Sequence, residues 1–267
     1  MSSPDEWLAL VRWRNAAMSA GGVVAGAWWS AGRLTTHVAL AAVAAIALTA
    51  VANSANDLAD IEIDRVAHPR RPLPSGAISP RSAARFAIAC SAIALGLTAL
   101  IDVRLTALTV GVLATMWMYS ARLKRHGIPG NVAVAILGSL PFFYGAYAVG
   151  EPAKGALLVT VAAPLHFARE VAKDLDDARG DASARRTLPV TRGAASARAA
   201  VVIGVVVYAL AVVLLANPYP LFAMLLLPTI FLAALAVRRL YRAAGGTAGL
   251  LKAAMVVALV ALIISRR

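Results

Sequence analysis

Residues 56–64 read NDLADIEID and end a long apolar stretch, and residues 173–181 read KDLDDARGD at the end of another. Both segments contain the pattern D-x-x-D-x-x-x-D, at an offset of 117 positions. The matching aspartates are Asp57, Asp60 and Asp64 in the first segment and Asp174, Asp177 and Asp181 in the second. A related turn follows each segment, RPLPSG at 71–76 and RTLPVTRG at 186–193. A repeated acidic pattern followed by a repeated turn predicts a duplicated metal-binding half.

Apolar residues dominate the rest of the chain. Of its 267 residues, 60% are hydrophobic and the mean hydropathy is +0.74, whereas soluble domains typically have about 45–50% apolar residues. Several apolar runs reach, with their flanks, the roughly 20 residues that span a bilayer as a helix. We therefore predict an all-α membrane protein with nine spans, at about 9–31, 35–57, 83–101, 104–121, 130–149, 155–173, 196–216, 219–237 and 247–265.

We expect a single integral-membrane domain over residues 1–267. Within it, the repeated pattern defines motif-bearing halves at about 9–121 and 130–237, and a last helix follows at 247–265.

The basic residues follow a membrane topology. The 26 Lys and Arg residues exceed the 13 Asp and Glu residues and give a formal net charge of +13. Of the 26, 21 lie near the N-terminus or around the ends of spans 2, 4, 6 and 8. By the positive-inside rule, we expect these segments and the active site on the cytoplasmic side of the cell membrane, with the C-terminus outside. Because topology accounts for the charge, we expect no nucleic-acid partner.

The acidic residues are concentrated in the repeated segments, since nine of the 13 lie in 57–64 and 170–181. Helical spacing places Asn56, Asp60 and Asp64 on one stripe, with Asp57 beside it. A stripe of carboxylates repels itself unless a cation lies in it, and oxygen donors suit Mg²⁺. Two facing stripes would hold two or more Mg²⁺ ions, which would clamp a diphosphate between them.

Basic and aromatic side chains close to the acidic segments are candidates for phosphate contacts, because arginine binds phosphate in a bidentate manner. The candidates are Arg70, Arg71, Tyr119, Lys124, Lys173 and Arg186. The arginines, Tyr119 and Lys124 also have an alternative interpretation as anchors at the membrane surface, and for Lys173 the alternative is a bridge to the second metal stripe. We expect the off-pattern Glu62 and Asp176 to be surface charges, and His166, a lone histidine in a span, to be packed or hydrogen-bonded.

The double pattern resembles the paired signatures of UbiA-type intramembrane prenyltransferases, and the resemblance covers almost the whole chain. It implies a bundle of nine transmembrane helices around a central cavity, which opens laterally to lipid and is capped by loops on the cytoplasmic side. It implies an enzyme that uses Mg²⁺, a prenyl diphosphate and a lipid-soluble acceptor. The residues implied to hold Mg²⁺ and the diphosphate are Asn56, Asp60, Asp64, Asp177 and Asp181, with Asp57 and Asp174 at adjacent acidic positions and Tyr119 and Lys124 at the phosphate. The four aspartates among the first five would be the catalytic residues.

Within that superfamily, the chain most resembles archaeal-type digeranylgeranylglyceryl phosphate synthases. The similar stretches are 56–79, 169–174, 180–189 and the opening Arg12-x-x-Asn15. This resemblance implies transfer of a geranylgeranyl group to the free hydroxyl of geranylgeranylglyceryl phosphate in ether-lipid biosynthesis, with Asn15 at the substrate. Leu58-Ala59 departs from the family, which often has aromatic residues there.

Three alternatives remain open from the residues alone. The first is an aromatic acceptor, as in quinone or pigment biosynthesis, and the second is a membrane terpene cyclase that needs no acceptor. The third is a transporter, although transporter sites usually lie near the bilayer midplane and not at helix ends.

Overall fold

The computed structural model describes residues 3–123, 127–178, 187–242 and 245–265. Over these residues the chain forms eleven α-helices and no β-strand, which confirms the predicted all-α class. The helices are α1 (Pro4–Val11), α2 (Trp13–Ala31), α3 (Thr36–Ala59), α4 (Ile61–Ala67), α5 (Pro80–Ala99), α6 (Val103–Ala121), α7 (Ile128–Ala148), α8 (Pro152–Ala178), α9 (Leu188–Leu215), α10 (Pro220–Tyr241) and α11 (Thr247–Ile264).

Local sequence explains where several helices begin. Four of them, α1, α5, α8 and α10, start at a proline. Proline suits a first helical position because its φ is already helical and its missing N–H would have no partner there. Ser79 caps α5 by accepting a hydrogen bond from the backbone N–H of Ser82. Inside α9, Gly193 has φ +82°, so the helix is kinked close to the predicted start of the seventh span at residue 196.

Seven helices in the described ranges are long and apolar enough to cross a membrane: α3, α5, α7, α8, α9, α10 and α11. The other two predicted spans also form helices, α2 and α6, each of 19 residues. Polar residues lower the hydropathy of these two, Arg14 and Asn15 at the start of α2 and Tyr119 and Ser120 at the end of α6. The chain is thus confirmed as a multi-pass membrane protein, in which seven of the described helices are long and apolar enough to span a bilayer.

A seam of glycines joins α2 and α7. A Cβ atom added to Gly26 would clash with the carbonyl group of Phe142, and one added to Gly145 would clash with that of Val23. Small residues allow helix backbones to touch in this way, which is a common packing mode in membranes. Gly22 lies against Pro141, and just beyond the two helices Arg33 donates a hydrogen bond to the carbonyl of Val149. The two helices therefore run parallel, and their first residues lie at the same end of the bundle.

Both acidic segments lie at that end, which we call the motif end. Arg12, just before α2, forms an ion pair with Asp57 near the end of α3. Asn131, in the first turn of α7, donates a hydrogen bond to Asp174 near the end of α8. The parallel α2 and α7 therefore bring the ends of α3 and α8 together.

The predicted first span, 9–31, is divided at Arg12. This residue has φ 53° and ψ 61° and is the one described non-glycine residue with positive φ. Left-handed backbone costs an L-residue about 1–2 kcal/mol, so surrounding contacts must hold it. The break ends α1, which begins with a capping box between Ser3 and Glu6, and it directs the Arg12 side chain toward Asp57.

Two large apolar clusters form the interior, one around α8 to α11 and one around α2, α3, α5, α6 and α7. Each contains a buried tyrosine paired with a threonine, Tyr144 with Thr109 at 2.8 Å and Tyr208 with Thr229. A polar group inside a membrane bundle must find such a partner because lipid provides none. Large apolar side chains such as Phe231 and Leu214 point outward and are 70% and 78% exposed, as expected of a surface in lipid.

Candidate active site

A cavity of about 390 Å³ lies between the helices and opens from the motif end into the apolar interior. Its interior part is lined by residues such as Phe142, Leu165, Phe222 and Leu259. Its polar part is lined by Arg12, Asn15, Asn53, Asn56, Tyr119, Arg169, Glu170 and Lys173. A cavity of this kind accommodates a molecule with one ionic end and one hydrocarbon end.

The first acidic motif forms one wall of the polar part. Asn56 lines the cavity, whereas Asp60 and Asp64 are only 1% and 0% exposed and are packed behind the lining. The predicted stripe is not carried by one straight helix, because α3 ends at Ala59 and Asp60 adopts φ −108° and ψ 7° before α4. Backbone hydrogen bonds still run from Asp60 to Asn56 and from Asp64 to Asp60, so the three residues stay on successive turns.

The turn after the first motif folds back onto it. Arg71 donates to Asp64 at 2.5 Å, while Leu73 and Ile78 are buried and fix the turn against Leu10. The neighbouring Arg70 is exposed and lines a second, shallower pocket of about 460 Å³, which also includes Arg12 and Asp57. The turn thus places Arg71 against the carboxylate of Asp64 and leaves Arg70 exposed to solvent.

The second acidic motif is arranged differently. Asp174 accepts a hydrogen bond from the Nδ2 of Asn131 at 3.1 Å, and Asp177 is exposed. Lys173 lines the cavity. The remaining predicted residues of this side, Asp181 and Arg186, lie outside the described residues, as does Lys124 of the middle segment.

Two off-pattern acids differ from each other. Glu62 is an exposed surface charge that pairs with Arg65 at 2.8 Å, as expected. The expectation for Asp176 was incomplete, because this side chain is half-buried and accepts a hydrogen bond from the backbone N–H of Ala248 at 3.5 Å. It thereby joins the end of α8 to the first turn of α11, where the helix dipole favours a negative charge.

Four ionisable cavity residues on α8 and α11 were not singled out from the sequence as site residues. His166, which was expected to be an ordinary packed side chain, lines the cavity and lies against Gly138. Arg169 and Glu170 also line it and form an ion pair with each other. A signal for these three existed, since positions 166, 169, 170 and 173 share one helical face. The fourth residue, Lys252, is the single charged residue of the otherwise apolar α11.

The described residues of the two motifs provide donor atoms of the type that Mg²⁺ prefers. They are the carboxylates of Asp60, Asp64, Asp174 and Asp177 and the amide oxygen of Asn56. Within the described ranges, however, no group of three or more His, Cys, Asp or Glu side chains is gathered as a metal cage. Mg²⁺ is commonly held by one or two carboxylates together with substrate phosphates and water. The residues therefore fit Mg²⁺ that is bound jointly with a diphosphate.

Comparison with known proteins defines the class of protein to which this fold and cavity belong. Residues 19–263 match the model of the UbiA prenyltransferase family. The chain therefore belongs to the UbiA prenyltransferase family and is an enzyme of the membrane prenyltransferase class.

Among its relatives are proteins named digeranylgeranylglyceryl phosphate synthase. The one from Methanopyrus kandleri is 39% identical over 188 residues, which cover 70% of this chain and 69% of that protein. The one from Halobacterium salinarum is 42% identical over 146 residues, which cover 54% of this chain and 53% of that protein. The chain thus spans between about half and two thirds of these relatives.

Solved structures share the fold over nearly its full length. One, described as giving structural and mechanistic insights into digeranylgeranylglyceryl phosphate synthase in membranes, superposes with a TM-score of 0.79 at 26% identity and covers 98% of both chains. A UbiA homologue from Archaeoglobus fulgidus, bound to GPP and Mg²⁺, has a TM-score of 0.71 at 16% identity, covering 97% of this chain and 98% of that one. At that identity the second likeness concerns the fold alone.

Proposed function

We propose that this enzyme transfers a geranylgeranyl group, or a similar prenyl group, from its diphosphate to the free hydroxyl of geranylgeranylglyceryl phosphate in ether-lipid biosynthesis. The observation that carries the proposal is the cavity, whose apolar interior meets a polar end beside the first acidic motif. The names of the relatives and the stretch 56–79, which led to the same acceptor, support the choice of substrate.

The diphosphate binds at the motif end, between the ends of α3 and α8. Asn56, Asp60 and Asp64 on one side and Asp174, Asp177 and Asp181 on the other bind it together with two or more Mg²⁺ ions, with Asp57 beside the first group. When bound, Mg²⁺ supplies positive charge that stabilises the departing diphosphate. Arg71, Arg70 and Arg186, with Tyr119 and Lys124, provide the further phosphate contacts.

The reaction breaks the allylic C–O bond of the donor and forms an ether bond to the acceptor oxygen. The diphosphate leaves with the electron pair of the broken bond, and the acceptor hydroxyl loses its proton to a carboxylate of the site or to the released diphosphate. Side chains such as Phe142 and Leu165 keep water from the allylic carbon while positive charge develops on it. Asn15, which lines the polar part of the cavity, is positioned to contact substrate.

We further propose that α2 and α6 cross the membrane together with the seven more apolar helices, which gives nine spans around the cavity. Their lengths of 19 residues and their parallel or neighbouring packing with apolar helices support this. In this arrangement the motif end and the N-terminus are cytoplasmic and the C-terminus is outside, in one domain built from two motif-bearing halves.

The test is an assay of the purified protein with Mg²⁺, geranylgeranyl diphosphate and geranylgeranylglyceryl phosphate. We expect the prenylated ether product in the wild type, no product with EDTA, and a loss of about 10³-fold or more in Asp60→Ala and in Asp177→Ala. Glu62→Ala is the matched control, because Glu62 belongs to the same segment but is exposed and paired with Arg65. Full activity in both aspartate variants would contradict the proposal, and product with an aromatic acceptor alone would support the alternative acceptor class.

A further inference from the structure

Helix α11 carries one charged residue in an otherwise apolar sequence. Between Thr247 and Ile264 the only ionisable side chain is that of Lys252, in a segment of mean hydropathy 2.4. A charged residue in such a segment is costly and is usually retained where it faces a cavity or an ionic partner. Lys252 lines the cavity, whereas the other cavity residues of α11 are the apolar Met255, Ala258, Leu259 and Leu262.

The position of Lys252 follows from how α11 meets α8. The hydrogen bond from Ala248 to Asp176 fixes the first turn of α11 beside the last turns of α8, and α11 then packs along α8. Lys252 lies one turn further along α11, and Lys173 lies about one turn back along α8 from Asp176. Both lysines line the same cavity and therefore form a basic wall of it.

Carboxylates are scarce in the described lining of the cavity. Glu170 is the one acidic residue among the described residues that line it, and it pairs with Arg169. No hydrogen bond or ion pair joins Lys173 or Lys252 to another described residue. Two lysines thus line the cavity where its described lining provides no unpaired carboxylate, which favours an anionic ligand.

The wall is separate from the first acidic motif. Helix α3, which carries that motif, packs against α1, α2, α5, α6 and α7, whereas α11 packs against α2, α8 and α10. Lys252 therefore lies on a different wall of the shared cavity from Asn56. This separation favours a second anionic group, distinct from the diphosphate that the acidic motifs bind.

We propose that Lys252, together with Lys173, binds the phosphate monoester of the acceptor and so selects a phosphorylated glycerol lipid over a neutral one. The proposal rests on the proposed function, because it names the residues that recognise the acceptor of that reaction. With its phosphate on this wall, the acceptor lies along the apolar part of the cavity, and its free hydroxyl is directed toward the diphosphate.

The experiment compares Lys252→Met, which keeps the length of the side chain without its charge, with Lys252→Arg, which keeps the charge. Initial rates are measured with varied geranylgeranylglyceryl phosphate, with varied geranylgeranyl diphosphate, and with the dephosphorylated acceptor geranylgeranylglycerol. In Lys252→Met we expect the KM for the phosphorylated acceptor to rise roughly tenfold or more. The KM for the donor should stay within about twofold of the wild type, and Lys252→Arg should recover most of the loss.

Lys154→Met is the matched control, because Lys154 bonds to Ser30 and Glu151 away from the motif end and should leave both KM values unchanged. A rise in the donor KM instead of the acceptor KM would overturn the proposal, as would an unchanged acceptor KM in Lys252→Met. If Lys252→Met does not fold, the proposal can still be tested with the wild-type enzyme. Equal kcat/KM values for the phosphorylated and dephosphorylated acceptors would exclude a phosphate site. Absence of product from either glycerol acceptor would instead count against the proposed function.

Discussion

Asp57 and Asp174 occupy matching positions in the two acidic motifs, yet Asp57 faces the guanidinium of Arg12 and Asp174 faces the amide of Asn131. The contrast extends to the rest of each motif. In the first, Asp60 is only 1% exposed, whereas the matching Asp177 of the second is exposed. A repeated pattern of aspartates therefore does not bring a repeated environment.

The difference has a cause in the sequence. Arg12 reaches Asp57 because the chain turns at a left-handed residue between α1 and α2. The position 117 residues later is Pro129, in the first turn of α7, and it offers no cation. The first motif thus has arginine partners for two of its aspartates, Asp57 and Asp64, whereas Asp174 of the second is bonded to a neutral amide.

The largest expected effect on stability comes from breaking the buried ion pair of the first motif. Arg71→Met should lower the free energy of unfolding by about 3 kcal/mol, because it leaves the buried Asp64 carboxylate without its guanidinium partner. Unfolding in detergent micelles by titration with a denaturing detergent measures the change. The double variant Arg71→Met, Asp64→Asn should recover most of the loss, and a double variant as unstable as the single one would show that the ion pair is not the reason.

A smaller effect is expected in the second motif. Asn131→Ala should lower the free energy of unfolding by about 1 kcal/mol, because it removes the hydrogen bond from the neutral Asn131 amide to Asp174. Asn131→Asp tests the same contact with a charge, because it places two carboxylates side by side. The folded protein would then bind a proton more tightly than the unfolded chain. Its stability should therefore fall as the pH rises from 5 to 8, and more steeply than that of Asn131→Ala, which has one carboxylate fewer at this position.

The smallest effect is expected for the exposed acid of the first motif. Glu62→Gln removes the pair with Arg65, in which the two side chains are 79% and 58% exposed. Exposed pairs of this kind contribute about 0–1 kcal/mol, so the melting temperature should change by no more than a degree or two. If Glu62→Gln lowered the free energy of unfolding as much as Arg71→Met, burial of an ion pair would not determine its contribution to stability.

Much of the fold was predictable because apolar runs of sufficient length form membrane helices almost regardless of context. Helices α3, α5 and α7 overlap their predicted spans closely. The break at Arg12 was not predictable, because its left-handed backbone depends on a contact with Asp57, which is 45 residues away. Local sequence contains no signal for a conformation that tertiary contacts impose.

The site was predictable in part for a similar reason. Asn56, Tyr119, Asn15 and Lys173 were predicted site residues, and all four line the cavity, while their roles stay predictions. His166 packs against Gly138 as expected, but its position at the cavity was not predictable, because which face of α8 turns toward the cavity depends on the neighbours that pack against its other faces. Lys252 did carry a signal, a lone cation in an apolar helix, but that signal has meaning only once α11 is known to border the cavity.

The glycine seam between α2 and α7 also constrains how the protein is made. Gly26 and Gly145 are separated by 119 positions, so α2 leaves the ribosome long before the helix that it touches backbone to backbone. Since α2 is also one of the two long helices that fall short of the hydropathy of a membrane span, we expect it to enter the bilayer weakly at first. Its final position would then be secured only after α7 has been synthesised, which makes the placement of α2 a late event.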